Sequence, residues 1–442
     1  MLRSRTAPKM KSCLHWTAIL VLLTALPAIA NDGPTLPMAK AESVGMSSER
    51  LARINAHMQQ YIDNDMIAGA VTLVARKGKV IHLEAQGSRY REENIPMTTD
   101  TIFTLASMTK PIASTALMML FEEGLFRLDD PISKWLPEYK DHKVRLKGGP
   151  IARTVPEERP VTVRHVLTHT SGLTFSPEGS GLTEEQRREA TNDGKGFDTL
   201  AEQIEAAAVI PGAFHPGDHW QYGVSTDYVA ILVEKISGES LDDFLRERIF
   251  EPLGMVDTHY NVPRAKVDRL AAIYEPNDDG TIELMRPPKY VEPTRHFRGV
   301  TGLKSTPADY FRFAQMIANG GELDGKRIIG RMTVDNMITN HIGGDKLVYV
   351  RGPGYGFGLG FGVLINPAEA ADALSVGSYT WGGAYGTLYW ADPAEDLIGL
   401  MFIQVRPYTH IARQLYSNVV TQAVVDSLAD QKPKIMGYAT PR

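Results

Sequence analysis

Cysteine is nearly absent from this sequence: 442 residues contain one, Cys13. It stands between four basic residues (Arg3, Arg5, Lys9 and Lys11) and an uncharged run from Trp16 to Leu26, which leads to Ala28-Ile29-Ala30. A basic start, an 11-residue apolar core and a small-x-small site read as a secretory signal peptide. Residues 1–30 are therefore expected to be removed by cleavage after Ala30, with Met1 or Met10 as the true start. Cys13 precedes the apolar core, the wrong side for lipid attachment. The mature chain then has no thiol, which excludes disulfides, a cysteine nucleophile and a thiolate metal site. The apolar run is too short for a permanent membrane anchor, so the expected location is periplasmic or secreted.

An excess of positive charge is missing too. Losing the four basic residues of the leader takes the formal charge from −5 to −9. That acidity argues against nucleic acid or an anionic membrane as a partner. No Pro/Ser/Gly-rich linker, charge block or internal repeat divides residues 31–442, which read as one unit or as two lobes sharing a core.

Several familiar motifs are absent. Without G-x-S-x-G there is no nucleophile elbow of the α/β-hydrolase kind. His165 and His169 are four apart, but the segment reads H-V-L-T-H and lacks the glutamate of H-E-x-x-H, so a structural role is the reading and no metal is expected. His215 and His219 read as loop residues. Glycines at 354, 356, 358, 360 and 362 match no phosphate loop; they read as one face of a single strand, with Tyr355, Phe357, Leu359 and Phe361 on the other.

What is present is a readable order of elements. "SSERLARINAHMQQYID" predicts a Ser-capped helix with Leu51, Ile54, Met58 and Ile62 on one face. Two strands meeting at Lys77-Gly78 predict a hairpin. An apolar helix is expected from about Ser107 to Glu123, and several capped helices with long loops between about 130 and 290. "TPADYFRFAQMIANGG" is a further helix, capped by Thr306. Two strands joined at Asp392-Pro393 follow, and then a helix from about His410 to Leu428 with Ile411, Leu415, Val419 and Val424 on one face. Strands at both chain ends and helices between them predict a mixed α/β lobe with an inserted helical lobe.

Chemistry concentrates at "TLASMTKPIAST". Ser107 and Lys110 are three apart at a helix start, so their side chains share a face. A serine hydroxyl needs a base within reach, and a lysine pushed towards neutrality by burial can serve. The helix N-terminus adds free N–H groups where an oxyanion would form. Downstream, Tyr222 stands in "PGDHWQYGVSTDY" just before a capped helix, and Trp381-Gly382-Gly383 lies on a C-terminal strand.

Together with "RHVLTHTSGL", "FEPLGMVDTHY" and "YWADPAEDLIGLMFI", these features make the chain resemble the serine β-lactamase/penicillin-binding protein superfamily. The likeness is closest to the class C β-lactamases and the family VIII carboxylesterases, and it runs over nearly the whole mature chain. It implies an antiparallel sheet flanked by helices, an α/β lobe from about 40–130 and 290–430, and a helical lobe from about 131–290. It implies that Ser107 is acylated, that Lys110 takes or relays its proton, and that Tyr222 is the partner base and later the acid for the leaving group. It puts the oxyanion hole at the N–H groups of Ser107 and Ala384, and it implies no cofactor.

Two departures bear on substrate. Val224 stands where the lactamase pattern Tyr-x-Asn has an amide, and Trp381-Gly382-Gly383 stands where Lys-Thr-Gly offers a cation and a hydroxyl. Losing hydrogen-bonding groups disfavours substrates that need them. The expectation is therefore an exported serine hydrolase of small-molecule carboxylic esters, with Trp381, Gly382, Gly383 and Val224 lining the site. A β-lactamase or D-Ala-D-Ala peptidase, and a non-catalytic binding protein of the same fold, are the alternatives.

Overall fold

A computed structural model describes residues 33–146, 153–408 and 410–426. The expected signal peptide lies outside the described residues.

The N-terminal strands form as the sequence suggests. β1 (Gly69–Arg76) and β2 (Lys79–Tyr90) meet at Lys77 and Gly78, both with positive φ, the geometry of a tight hairpin turn. β3 (Ile95–Pro96) pairs with β2. The other strands come from the far end of the chain: β4 (Tyr355–Phe357), β5 (Gly362–Leu364), β6 (Tyr379–Gly382), β7 (Leu388–Asp392) and β8 (Leu397–Phe402). The sheet runs β4-β5-β6-β7-β8-β1-β2-β3, antiparallel throughout. The N-terminal and C-terminal strands are joined by the pairing of β8 with β1, where Leu73 is opposite Leu400, so both segments share one core.

Helices cover both faces. α1 (Arg53–Asp63) buries Ile54, Met58 and Tyr61. α2 (Thr109–Glu122) is buried over most of its length and packs on α3 (Ser225–Ser237). α4 (Pro307–Ala318) starts at Thr306, whose hydroxyl accepts the Asp309 N–H. Tyr310 of α4 packs on Tyr389 and Phe402, while α5 (His410–Thr421) lies on the other face, where neighbouring Trp390 points.

Two readings need correction. The glycine-rich run is not one strand: β4 and β5 are paired arms of a hairpin, turning through Gly358–Phe361 with Gly360 at φ +100°. The glycines do admit close neighbours, as a β-carbon on Gly356 would stand 2.4 Å from the Asn340 side chain. In α5, the buried face is Ala412, Tyr416 and Val420, one position along from the expected set; Leu415 is 40 % exposed, and Val424 lies past the helix end. The Tyr416 hydroxyl reaches the Leu73 and Leu400 carbonyls at 3.1 and 2.9 Å, which fixes that rotation. The middle segment also carries two small hairpins, 143–146 with 153–156 and 273–276 with 282–286, that the helical reading did not include.

Candidate active site

Ser107 lies in a short 3-10 turn, Ala106–Met108, that runs into α2. Ala106 has φ +46°, an uncommon conformation for a residue with a β-carbon. Such backbone costs on the order of 1 kcal/mol and persists only where its surroundings enforce it. The enforcing contact is visible. Gly383, just past β6, sits so close that a β-carbon there would stand 2.2 Å from the Leu105 carbonyl. The Thr387 hydroxyl also donates to that carbonyl at 3.2 Å. The strand edge is thereby pressed directly against the backbone that presents Ser107.

The three residues expected to carry the chemistry are brought together. Ser107 Oγ accepts from Tyr222 OH at 2.7 Å and from Lys110 Nζ at 3.1 Å. Lys110 is only 3 % exposed, and its Nζ also donates to the Val300 carbonyl at 3.0 Å while lying 4.6 Å from the centre of the Tyr222 ring. Beyond the strand end, the Gly383 N–H closes a turn on the Thr387 carbonyl at 2.7 Å. Ala384 is exposed, and among the described residues nothing takes its N–H.

Tyr222 is held by rings. Trp381 packs on it at 5.4 Å, His169 at 5.1 Å, and Trp220 stacks at 6.1 Å. Phe357 closes the cluster against Trp220 and Trp381. Trp381 is buried, so it braces Tyr222 from behind. Val224 stands at the start of α3 and offers the helix no side-chain cap.

The glycines of Trp-Gly-Gly have a cause that sequence reasoning missed. A β-carbon on Gly382 would stand 1.6 Å from Arg413 Nη2, so the glycine makes room for a guanidinium arriving from α5. The room at both glycines is filled by the protein itself, by Arg413 at Gly382 and by the Leu105 carbonyl at Gly383. Burial pushes the Arg413 guanidinium down to about 10, and its Nε has no hydrogen-bond partner among the described residues. The strand that lacks a lysine of its own therefore borders a cation after all. Only a three-dimensional neighbour reveals it, because 31 positions separate the two residues.

Tyr349 was missed as well. Its hydroxyl accepts the Tyr222 N–H at 3.1 Å, its ring meets Trp220 at 5.2 Å, and it is 52 % exposed at the mouth of the cluster. The histidines divide. His165 completes a capping box with Thr162, and burial, then Arg159 and Arg164, push it down to about 4. His169 is buried under Tyr222 and kept neutral first by burial and then by the charge of Lys110. His215 accepts the Glu158 N–H, and His219 packs on Phe214. No cluster of potential metal ligands occurs among the described residues.

With this geometry in view, comparison with known proteins gives a consistent picture. The family model described as "Beta-lactamase" matches residues 54–420. Protein Rv1367c of Mycobacterium tuberculosis is 33 % identical over 363 residues, which span 80 % of this chain and 89 % of that one. Esterase EstB of Burkholderia gladioli is 32 % identical over 399 residues, 85 % of this chain and 94 % of that one. Among solved structures, EstCE1, described as a hydrolase with promiscuous acyltransferase activity, superposes with a TM-score of 0.71 at 26 % identity, covering 84 % of this chain and 98 % of its own.

Proposed function

This chain belongs to the beta-lactamase family, and from that premise we propose that it is an exported serine hydrolase cleaving carboxylic esters through an acyl intermediate on Ser107. The observation that carries the reading is the joint approach of Tyr222 OH and Lys110 Nζ to Ser107 Oγ, at 2.7 and 3.1 Å. For attack, the Oγ proton passes to this pair, with Lys110 taking or relaying it and Tyr222 as partner base. Oγ then bonds to the ester carbonyl carbon, and the oxyanion gathers at the N–H groups of Ser107 and Ala384. Collapse expels the alkoxide, which receives its proton from Tyr222. Water repeats the sequence on the acyl-serine and releases the acid.

Substrate class follows from what the site lacks: Val224 replaces the amide of the lactamase pattern, and Trp381 brings no cation and, buried behind Tyr222, acts on the site only through that ring. Arg413 restores one cation beside Gly382, but not the hydroxyl or the lysine of Lys-Thr-Gly. Neutral, partly apolar acyl esters fit better than a penicillin or a peptidoglycan stem. The esterase name of one relative, at 32 % identity, supports this reading.

The test is a panel of p-nitrophenyl esters, amides and nitrocefin on purified mature protein, with Ser107→Ala as control. Short-chain esters should turn over rapidly, nitrocefin negligibly, and Ser107→Ala should lose both ester turnover and fluorophosphonate labelling. Faster turnover of nitrocefin than of esters would make the protein a lactamase. Absence of labelling in the native protein would leave a binding protein. N-terminal sequencing of exported material tests cleavage after Ala30.

A further inference from the structure

Lys110 is held by more than its own helix. Its Nζ donates to the Val300 carbonyl at 3.0 Å, across 190 positions of sequence. The Val300 N–H in turn donates to Asp227 Oδ1 at 3.1 Å. Asp227 Oδ2 takes Arg298 Nε at 3.0 Å and Arg298 Nη2 as well, so both carboxylate oxygens are committed to the segment 298–300. Asp227 is fully buried, in the first turn of α3 and five positions after Tyr222. Gly299, between its two partners, lies so near that turn that a β-carbon would stand 2.0 Å from the Thr226 carbonyl.

Each part of this chain of contacts has a physical reason. A buried carboxylate is costly unless paired and fully hydrogen-bonded, and here every oxygen is used. A lysine ammonium is a point charge on a flexible four-carbon stem, so its position is set by what accepts from it. Ser107 Oγ is one acceptor and the Val300 carbonyl is the other. That carbonyl belongs to the Val300–Thr301 peptide, joined through the φ and ψ of Val300 to the Gly299–Val300 peptide whose N–H Asp227 holds, so anchoring the one restrains the other.

We infer that Asp227 is the positioning residue for Lys110, fixing its Nζ against Ser107 by clamping Arg298 and the Val300 peptide onto the first turn of α3. The inference rests on the reading of Lys110 as the group that takes or relays the Ser107 proton. Tyr222, the other partner of Ser107, lies three residues before the same helix.

The test compares Asp227→Asn, Gly299→Ala and Arg298→Lys for ester hydrolysis and thermal stability. Asp227→Asn should lower kcat by ~10- to 100-fold with KM within ~2-fold, the pattern of a lost transition-state alignment. Gly299→Ala touches no charge but pushes the segment off the helix, and should reproduce that split. Arg298→Lys keeps a cation on Oδ2 and the Val300 bond, and should stay within ~3-fold of native. In the Lys110→Ala background, Asp227→Asn should cost nothing more, because the two act through one group. Additive losses, a change confined to KM, or native kcat in Asp227→Asn would overturn the inference. Should Asp227→Asn fail to fold, the Gly299→Ala split decides. Lysine-selective ¹³C labelling reads Lys110 without any activity: its side-chain signal should move in Asp227→Asn and stay in Arg298→Lys. If Lys110→Ala hydrolyses esters normally, the functional reading falls, and an unmoved Lys110 signal would separately sink the clamp.

Discussion

Ser107, Lys110 and Tyr222 form a site in which each member has a different task, so their replacements should fail in different ways. Lys110→Ala removes the buried Nζ that contacts Oγ, and Tyr222→Phe removes the hydroxyl at 2.7 Å while leaving the ring among its aromatic neighbours. Each should lower ester hydrolysis by at least ~10²-fold, the usual contribution of a placed acid–base group. Steady-state assays on correctly folded variants check this, and near-native rates in either would refute its role. These residues were legible because their signal is local: a serine and a lysine on one helical face, and a tyrosine just before a helix. Asp227, Arg298 and Arg413 carry no such mark. Asp227 meets Arg298 across 71 positions, and nothing in the spacing of the chain announces the contact.

Among the elements, β6 and α5 are bound to one another by an absence of side chain. Arg413 occupies the place of a β-carbon on Gly382, so Gly382→Ala should displace the guanidinium or lift the strand from the helix. Insertions into packed sites typically cost about 1–3 kcal/mol. The conflict has one named partner, so Gly382→Ala should add little destabilisation in an Arg413→Ala background. Urea unfolding of the two single variants and the double variant measures this; equal costs in both backgrounds would show that the glycine serves some other contact. The element readings that held were those with chemical punctuation, such as the Lys77-Gly78 turn and the Thr306 cap. The two that slipped were decided by distant partners. Period-two glycines suit a straight strand, but Gly360 turns the chain where Ser114 of α2 leaves space for no β-carbon. Leu415 looks like core by hydrophobicity, yet the bond from Tyr416 to β1 and β8 turns it outward.

At the scale of the whole molecule, buried titratable groups set how stability changes with pH, and they pull in opposite directions. Burial pushes His82 down to about 4, and burial with neighbouring cations does the same to His165 and His259. His169 is held well below its ordinary value, first by burial and then by Lys110. A histidine depressed from 6.5 stays neutral in the fold while the unfolded chain takes up a proton. Its stabilising contribution is therefore complete above about 6.5 and is lost as pH falls towards 4. Asp309 has the opposite sign. It lies almost fully buried at the start of α4, holding the Asp257 N–H and the Thr258 hydroxyl, and burial raises it from 3.8 to about 7. It is protonated in the fold at pH values where the unfolded chain is not, so it adds stability as pH falls from about 7 towards 3.8. With His57, His296 and His341, seven histidines are held down by burial, against three carboxyls held up, Asp309 with Glu234 and Asp242, and the fold should weaken on going from pH 7.5 to pH 5. Asp309→Asn keeps an acceptor for the same two donors but cannot take up a proton, so it removes a group, raised to about 7, that opposes the trend. Chemical unfolding at pH 7.5, 6 and 5 should therefore show a lower midpoint in acid for the native protein and a steeper fall for Asp309→Asn. A native midpoint that rises in acid would reverse the assignment of the histidines as neutral core groups. A variant whose fall is shallower than native would show Asp309 to be ionised in the folded protein.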